Sequence, residues 1–463
     1  MRTKFTPEER EFWEGQCKAS NSLYNCAMYE FKQRHYEQLE REGAHSTYWK
    51  GDELRCSWKL RKITATSHYE IDKLESIKSL EHYRLMQSQS AQQTLRDTQE
   101  VVNSFNKLVS LFFEGGLSRP RFPRYRKSGG LFRVTFPVQS LRYKDGFVYP
   151  GISNLAKTDL RSVIKLEVPD FVDFNLVREI RIRPSRGDFW VDWVCDDGKD
   201  EVIKNPKLDY RAALSIDHGI KFWLCAVTTK GKSFIVEAPQ LKAALWEYQE
   251  KVKQHKKGRS DFYWNDYLDE LTGKHNRRVR DAVNKAARFI INRCLRERLG
   301  NLIIGWNKGN KQNINLGKRN NYEVVNMPTA RLIKRLSELC PEYGIRFIVT
   351  SEEYTSKASF VDQDVLHQYG EKPAEWKPSG RRISRDVYKT SSGKEIHADI
   401  NAAANILRKV ADRVFGSNTF KREAAYSSIR SGALTDPKRY DIFKNLKKGY
   451  RENKRPVARL QAA

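Results

Sequence analysis

Acidic side chains at three points of the sequence could together bind divalent metal ions. Asp217 interrupts the otherwise apolar stretch ALSIDHGI, where a carboxylate is costly to bury without a partner or a cation. Asp399 opens the Ala-rich helical stretch HADINAAANI, and Glu352 and Glu353 follow IRFIVT, which has the composition of a buried strand. Carboxylate oxygens are the ligands that Mg²⁺ prefers, and a pair of such ions can activate water for attack on a phosphodiester.

Each of these acids also has an ordinary structural interpretation. Asp217 could end a strand at an Asp-His-Gly turn, Asp399 is a favoured N-cap residue, and Glu352 with Glu353 could form a solvated turn. The metal interpretation therefore depends on whether the fold brings the three positions together. Because successive residues of a strand face opposite sides, only one of the two glutamates could face the metal ions.

The first 115 residues predict an all-α lobe. Thr6 as N-cap, Pro7 at the first helical position and Glu9 closing a capping box predict a long helix to about Gly43. Residues 116–205 begin with a Gly/Pro/Arg segment and continue as short alternating strands. Asp145-Gly146 is a strong hairpin signal. These residues are predicted to form a small β domain with a barrel-like fold.

Residues 206–415 predict a mixed domain with the strand and helix order of the ribonuclease-H-like fold. Three antiparallel strands precede a long basic helical stretch. The strand NLIIGWN, an amphipathic helix, the strand IRFIVT, an irregular insert at 355–395 and a final helix follow. The order is β-β-β-α-β-α-β-α, so the chain is predicted to be an α+β multidomain protein. Residues 416–463 are predicted to be a basic C-terminal extension, either an accessory helix or partly disordered.

Nucleases with this fold place carboxylates on the first strand, on the strand after the first crossover helix and at the last helix. Asp217 and Asp399 match the first and last positions, but Gly305 stands where the middle strand should carry a Glu. The NLIIGW and IRFIVT strands should be parallel neighbours about 4.8 Å apart, with their carboxyl ends on one side of the sheet. We therefore predict that Glu352 reaches inward as the third ligand, with Glu353 as the alternative. A chain that has lost nuclease activity and only binds DNA is the competing explanation.

Four segments make the chain resemble TnpB, the transposon-associated RNA-guided nuclease, and the compact type V CRISPR effectors. In order they are SIDHGIK, NKGNKQNINLGKRNN, YTSKASF and HADINAAANIL, with weaker matches at NSLYN and RPRFPRYRK. The resemblance implies a helical recognition lobe, a β-barrel wedge domain and a RuvC-type nuclease domain. It also implies a guide RNA, a DNA target cut beside a short adjacent motif, and Mg²⁺ or Mn²⁺ as cofactor. The family includes a lineage with a relocated RuvC glutamate, and the YTSKAS context resembles it.

Two features depart from the family pattern. The family usually carries a zinc ribbon with two C-x-x-C pairs, whereas residues 355–395 contain no cysteine. His367 and His397 alone cannot complete the usual tetrahedral site, so we expect no zinc. The chain also opens almost directly on its first helix, so we expect the usual first strand of the wedge domain to be missing.

The charge of the chain indicates a polyanionic partner. The 463 residues include 85 Lys and Arg against 57 Asp and Glu, a net charge of +28, which favours nucleic acid. Basic residues beside Phe122 and Tyr125 suit phosphate contacts combined with base stacking. Each of them alone could equally be a solvated surface charge. The predicted nucleic-acid-binding residues are Arg119, Arg121, Arg124, Arg126, Lys127, Lys311, Lys318, Arg319, Asn321, Lys357 and Asn401.

The remaining composition is that of a cytoplasmic protein. Seven scattered cysteines without a C-x-x-C pair favour a reducing compartment. The sequence MRTKFTPEERE has no apolar segment typical of a signal peptide, and no apolar run is long enough to span a membrane. We therefore expect a prokaryotic cytoplasmic protein associated with the nucleoid. The sequence does not determine its oligomeric state.

Overall fold

The computed structural model describes most of the chain. The described residues are 2–3, 5–50, 53–115, 118–155, 164–196, 204–219, 221–307, 317, 321–322, 325–368 and 370–444. The chain divides into two compact units, Met1–Gly198 and Lys199–Ala463. Both combine helices and strands, so the predicted mixed multidomain class is confirmed at this level. No helix among the described residues is long and apolar enough to cross a membrane.

The first unit begins with a short strand, a long helix and a hairpin. These are β1 (Arg2–Thr3), α1 (Pro7–Arg41), β2 (His45–Lys50) and β3 (Glu53–Trp58). At the start of α1 the Thr6 N–H donates to Glu9 Oε2 at 2.8 Å, and the Glu9 N–H donates to Thr6 Oγ1 at 3.2 Å. The predicted capping box is therefore confirmed. The hairpin was not predicted.

Four further helices complete the helical part of this unit. They are α2 (His68–Asp72), α3 (Glu75–Lys78), α4 (Glu81–Leu85) and α5 (Ser88–Phe113). The strands that follow are β4 (Val134–Pro137), β5 (Leu141–Lys144), β6 (Phe147–Pro150), β7 (Leu166–Glu167), β8 (Val177–Ser185) and β9 (Asp188–Cys195). Helix and strand residues share one core, which includes Trp13, Phe31, Leu95, Phe136 and Ile180.

The described strands of this unit form separate sheets and no closed barrel. One sheet has the order β1-β9-β8-β4 and another the order β5-β6-β7, because the β5–β6 hairpin pairs with β7. Its turn is the predicted one, with positive φ at Asp145 (51°) and Gly146 (80°). The expected absence of a first strand was wrong, since Arg2 pairs with Trp190 and Thr3 with Phe189.

The second unit is built around a six-stranded sheet. Its elements up to the insert are β10 (Asp209–His218), β11 (Leu224–Thr228), β12 (Ser233–Glu237), α6 (Pro239–Lys256), α7 (Asp266–Arg296), β13 (Leu299–Gly305), α8 (Thr329–Glu342) and β14 (Arg346–Thr350). The remaining elements are β15 (Arg381–Arg382), β16 (Val387–Lys389), β17 (Glu395–His397), α9 (Ala398–Lys409), α10 (Ala411–Phe415), α11 (Thr419–Gly432) and β18 (Lys438–Asp441). The strands β15, β16 and β17 form a small sheet of their own where an irregular insert was predicted. The other elements up to residue 415 follow the predicted order, with the long basic stretch and the final helix each divided into two helices.

The pairing of the central strands agrees with the prediction. The sheet has the order β14-β13-β10-β11-β12-β18. Strands β10 and β13 are parallel, as are β13 and β14. Alternate residues of β13 enter different cores: Leu302 and Ile304 pack with helices α6, α7 and α8, whereas Ile303 packs with α9, α10 and α11. The sheet therefore lies between two helical layers.

The fold of this unit continues beyond residue 415. Tyr426 and Ile429 of α11 are buried in the core beneath α9. Strand β18 pairs in parallel with β12, with Phe234 opposite Lys438. The part of the predicted extension that precedes residue 445 is thus an integral layer and edge strand of the sheet. Residues 445–463 lie outside the described residues.

Candidate active site

Asp217 lies at the carboxyl end of the central strand β10. The preceding residue, Ile216, pairs with Ile304 of β13, and Asp217 itself pairs with Cys225 of β11. The strand ends one residue later, at His218. Asp217 therefore lies one position beyond the last pair between β10 and β13, beside the end of β13 that carries Gly305.

The chain turns sharply after β14, and this turn places Glu352. Gly305 pairs with Thr350 at the last position of the two strands. The Glu352 N–H then donates to Asn307 Oδ1 at 3.0 Å. The Thr355 hydroxyl donates back to the Glu352 carbonyl at 2.8 Å. Because the strand has ended, the orientation of Glu352 is set by the turn and by Asn307.

The Glu352 side chain lies over Gly305. A Cβ atom added at Gly305 would lie 2.8 Å from Glu352 Cγ, 3.2 Å from Glu352 Oε1 and 2.5 Å from Ile406 Cδ1. These separations are far shorter than the optimal contact distance between carbon atoms. Because Gly305 has no side chain, Glu352 can occupy the space above it.

Glu353 has different partners. Its Oε2 lies 3.3 Å from Nζ of Lys409, and the same ammonium contacts Ser351 Oγ at 3.1 Å. Partial burial acts to raise the pKa of Glu353, but the Ser351 and Lys409 interactions hold this pKa below its ordinary value. Glu353 therefore forms an ion pair with Lys409, the last residue of α9.

Asp399 belongs to the first turn of α9 and is not its N-cap, because the capping position is His397. Asp399 Oδ1 accepts a hydrogen bond from Arg382 Nη2 at 2.7 Å. A Cβ atom added at Gly219 would lie 3.9 Å from Asp399 Oδ2. The helix start therefore lies close to the backbone where β10 ends.

The three predicted acids interact electrostatically. The pKa of Asp217 is raised well above its ordinary value, first by burial and then by the negative charges of Glu352 and Asp399. The Arg382 charge and the His218 backbone N–H act in the opposite direction. Mutual repulsion among buried carboxylates disfavours their charged forms, and a bound cation would relieve it.

The donor set can be compared with the needs of a divalent cation. In the part of the chain that the structure describes, no three His, Cys, Asp or Glu side chains are arranged to hold one ion in common. Two buried atoms, Glu352 Oε1 and His218 Nε2, make no hydrogen bond among the described residues. Mg²⁺ commonly takes one or two protein carboxylates and completes its shell with water and phosphate oxygens. Asp217 and Glu352 fit such a shell, whereas Asp399 already contacts Arg382.

Sequence reasoning missed two residues of this site. His218 directly follows Asp217, and its ring packs on Trp306 with the ring centroids 5.1 Å apart. Its place next to Asp217 was the only sequence signal. Arg382 comes from the irregular insert, and no periodicity or motif marks it. Only the tertiary contact with Asp399 identifies Arg382.

Hydrogen bonds accepted by two aspartates hold the insert together. Asp364 accepts from the Ser359 N–H at 2.7 Å and from the Ser379 N–H at 3.1 Å. Asp362 likewise accepts from the Ser359 hydroxyl at 2.6 Å and from Ser391. These bonds connect distant parts of the segment.

The two histidines considered for zinc have different aromatic neighbours. The His367 ring packs against Trp376 at 5.4 Å, and the His397 ring packs against Phe222 at 5.6 Å. Each imidazole thus belongs to its own aromatic contact. The expectation of a zinc-free insert stays a prediction.

The predicted nucleic-acid-binding residues fall into several classes. The exposed residues are Arg119, Arg121, Arg124, Arg126, Lys127 and Lys357. Arg126 donates from Nε to Asn21 Oδ1 at 3.0 Å, and its guanidinium lies 4.3 Å from the Phe132 ring centroid. The Asn321 N–H donates to the Gly317 carbonyl. Lys311, Lys318 and Arg319 lie outside the described residues.

Asn401 is fully buried. Its Oδ1 accepts from the Phe360 N–H at 2.9 Å, and its Nδ2 donates to the Ala358 carbonyl at 2.8 Å. Both ends of the amide are therefore used within the fold. In this structure Asn401 attaches the start of the insert to α9 and is not at the surface for a nucleic-acid contact.

Residues 330–406 match the family model of the Cas12f1-like TNB domain. A chain in the cryo-EM structure of a Cas12f1–sgRNA–target DNA complex is similar in structure, with 13% sequence identity and a TM-score of 0.47. The match covers 87% of the present chain and 83% of that chain. A CRISPR-Cas12f ternary complex covers 88% and 82%, at 13% identity and a TM-score of 0.32. The mini-RNA-guided endonuclease CRISPR-Cas phi3 covers 51% and 52%, at 13% identity and a TM-score of 0.31.

No curated protein sequence matches the chain significantly. The family match over residues 330–406 includes Glu352 and Asp399. It confirms the predicted resemblance to the compact type V effectors in the part of the chain that carries two of the three candidate acids.

Proposed function

We propose that the chain is an RNA-guided DNA endonuclease whose RuvC-like domain cuts target DNA beside a short adjacent motif. The observation that carries this proposal is the position of Glu352. Its side chain fills the space over Gly305, and its charge acts on Asp217. A third carboxylate is thus present near the position where the ribonuclease-H-like pattern lacks one.

The proposed partners are a guide RNA and a target DNA. The net charge of +28 suits polyanionic ligands. One similar structure is a complex with sgRNA and target DNA. In guide-directed systems base pairing selects the sequence, while the protein contacts the backbone and a short flanking motif. Exposed residues such as Arg121 and Arg124 are suited to the backbone contacts.

Asp217, Glu352 and Asp399 would hold the metal ions, Mg²⁺ or Mn²⁺. Two such ions, when bound, supply an activated water and stabilise both the attacking and the leaving oxygen of the phosphodiester. Water attack at phosphorus then leaves a 3′-hydroxyl. The carboxylate of Asp217 repels Glu352 and Asp399 in the free protein, so these residues favour the entry of cations. Asp399 must also exchange or share its contact with Arg382.

The second candidate function is guided DNA binding without cleavage. One observation favours it: the described residues contain no group of three potential ligands that could hold one ion. The Arg382–Asp399 ion pair also places a positive charge at one of the acids. A protein fixed in this arrangement would act as a repressor or targeting factor.

Cleavage of a guided plasmid distinguishes these functions. Wild-type protein, Asp217→Asn, Glu352→Gln and Glu353→Gln would be assayed with Mg²⁺ or Mn²⁺, with target binding measured in parallel. We expect Asp217→Asn and Glu352→Gln to bind the target but lose at least about 100-fold in cleavage rate, because a ligand of the metal ions is removed. Glu353→Gln should lose much less, since Glu353 contacts Lys409.

Two results would contradict the proposal. Wild-type protein that binds its guided target and never cuts it would establish the second candidate. Full cleavage by Glu352→Gln, together with loss of cleavage by Asp217→Asn, would show that Glu352 is not the relocated acid.

A further inference from the structure

Two buried atoms without a hydrogen bond in the described part of the chain, one from His218 and one from Glu352, lie close together. His218 Nε2 and Glu352 Oε1 lie 3.0 Å apart. Neither atom makes a hydrogen bond among the described residues, although a separation of this size would suit an N–H···O bond. Their side chains are 15% and 18% exposed. A protonated imidazole would form an ion pair with Glu352 at this distance.

The separation agrees with that of two adjacent ligands on one metal ion. Bonds from an octahedral ion to imidazole nitrogen or carboxylate oxygen are about 2.1 Å long. Two such ligands at a right angle are therefore roughly 3 Å apart. In that arrangement both lone pairs point to the ion and not to each other, which also explains the missing hydrogen bond.

The fold holds both side chains in place. The His218 ring packs on the ring of Trp306, and the Trp306 backbone N–H donates to the Thr350 carbonyl at 2.8 Å. The Glu352 N–H is held by Asn307. One donor atom thus comes from the end of β10 and the other from the turn after β14, so the pair forms only in the folded sheet.

We propose that His218 is a metal ligand beside Glu352 and that its nitrogen gives the site a preference for transition-metal ions such as Mn²⁺ over Mg²⁺. Mg²⁺ takes hard oxygen ligands, whereas imidazole is a common ligand of transition metals. The inference rests on the proposed nuclease site and adds a nitrogen ligand to its three acids. The charges of Asp217 and Glu352 act on each other, so a cation between His218 and Glu352 would also relieve this repulsion.

Pulsed electron paramagnetic resonance of bound Mn²⁺ tests this directly. The full-length protein, with its guide RNA, would be loaded with substoichiometric Mn²⁺ and examined for a directly coordinated ¹⁴N nucleus. We expect this coupling in wild-type protein and expect labelling with [¹⁵N]histidine to convert it to the ¹⁵N pattern. Because the labelling experiment uses wild-type protein, its result does not depend on the folding of a variant.

Matched variants identify the histidine. His218→Gln should lose the nitrogen coupling, and its Mn²⁺ affinity should fall about 10-fold or more while its Mg²⁺ affinity changes less. His275→Gln is the control, because the His275 imidazole stacks on Tyr248 of α6 and should leave the coupling unchanged. Isothermal titration of both proteins with Mn²⁺ and Mg²⁺ gives the affinities.

The outcomes separate this inference from the proposed function. Mn²⁺ binding that Asp217→Asn abolishes, without any nitrogen coupling in wild-type protein, would leave the nuclease site intact and overturn the role of His218. Equal loss of Mn²⁺ and Mg²⁺ affinity in His218→Gln would instead show that His218 only positions Glu352. No Mn²⁺ binding by wild-type protein would contradict both proposals.

Discussion

The side chain of Glu352 occupies the volume that any side chain at Gly305 would need. The two residues are 47 positions apart in the sequence but meet because β13 and β14 are parallel neighbours that end at the Gly305–Thr350 pair. The turn after β14 then directs Glu352 back over the glycine. Gly305 therefore lacks the carboxylate expected at this position, and its missing side chain leaves space for the carboxylate of Glu352.

Gly305→Ala should impair stability and cleavage together. The new Cβ atom would lie 2.5 Å from Ile406 Cδ1 and 2.8 Å from Glu352 Cγ, and overpacking of this kind costs about 1–3 kcal/mol. Displacement of Glu352 should also slow cleavage. Urea unfolding followed by Trp fluorescence, and guided plasmid cleavage, measure the two effects.

A second substitution separates the two effects. Ile406→Val removes the Cδ1 atom, so Gly305→Ala combined with Ile406→Val should regain much of the stability. It should not regain cleavage, because the clash with Glu352 Cγ remains. If the double variant recovered both properties, the volume over Gly305 would not be what positions Glu352.

The Glu353–Lys409 ion pair should make a pH-dependent contribution to stability. The folded-state pKa of Glu353 is lower than its ordinary value of 4.5. A carboxyl group with a lowered pKa stabilises the fold above its unfolded pKa, and this stabilisation is lost as the pH falls through the folded pKa. Glu353→Gln should therefore cost about 1 kcal/mol at neutral pH and progressively less below about pH 4.5.

Urea unfolding of wild-type protein and Glu353→Gln at several pH values tests this. The two free energies of unfolding should converge as the solution is acidified. A difference that stayed constant with pH would mean that Glu353 acts through packing and not through its charge.

Arg124 and Arg126 should have different roles although both belong to the basic segment. Arg124 is exposed, so Arg124→Ala should lower the magnitude of the salt-dependence slope of nucleic-acid binding by about 1 and leave the melting temperature unchanged. Arg126 is hydrogen-bonded to Asn21, and burial lowers its pKa. Arg126→Ala should therefore cost about 1–2 kcal/mol of stability.

Fluorescence anisotropy over a range of salt concentrations, with thermal unfolding of the same proteins, measures both properties. An unchanged salt slope for Arg124→Ala would remove this residue from the predicted contacts. An unchanged melting temperature for Arg126→Ala would show that its contacts with Asn21 and Phe132 add nothing to the fold.

Asn401→Ala should destabilise the second unit. The substitution leaves the Phe360 N–H without its partner in a fully buried site, which costs about 1–3 kcal/mol. The Ala358 carbonyl loses the Asn401 donor but keeps that of Asn405. Lys357→Ala is the matched control in the same segment, because Lys357 is exposed. It should keep the melting temperature and weaken nucleic-acid binding. Equal stability of the two variants would contradict the structural role of Asn401.

Several features of the fold could be predicted from sequence because their causes are local. The capping box at Thr6 and Glu9, the turn at Asp145-Gly146 and the element order of residues 209–350 depend on residues a few positions apart. The sequence also revealed that Gly305 lacks the expected acid. The first strand was missed because two residues carry no periodicity, and β18 was missed because its pairing with β12 spans about 200 residues.

By itself, the sequence determined which acids were available and that one expected acid was missing. It left Glu352 and Glu353 as alternatives, because alternation along a strand gives no orientation once the strand has ended. Only the tertiary structure gives the two residues different environments. Glu352 lies over Gly305 and interacts with Asp217, whereas Glu353 pairs with Lys409. The tertiary structure also brought His218 to Glu352 and Arg382 to Asp399. These choices depend on contacts between distant parts of the chain, and such contacts exist only when the sheet and its helices have packed.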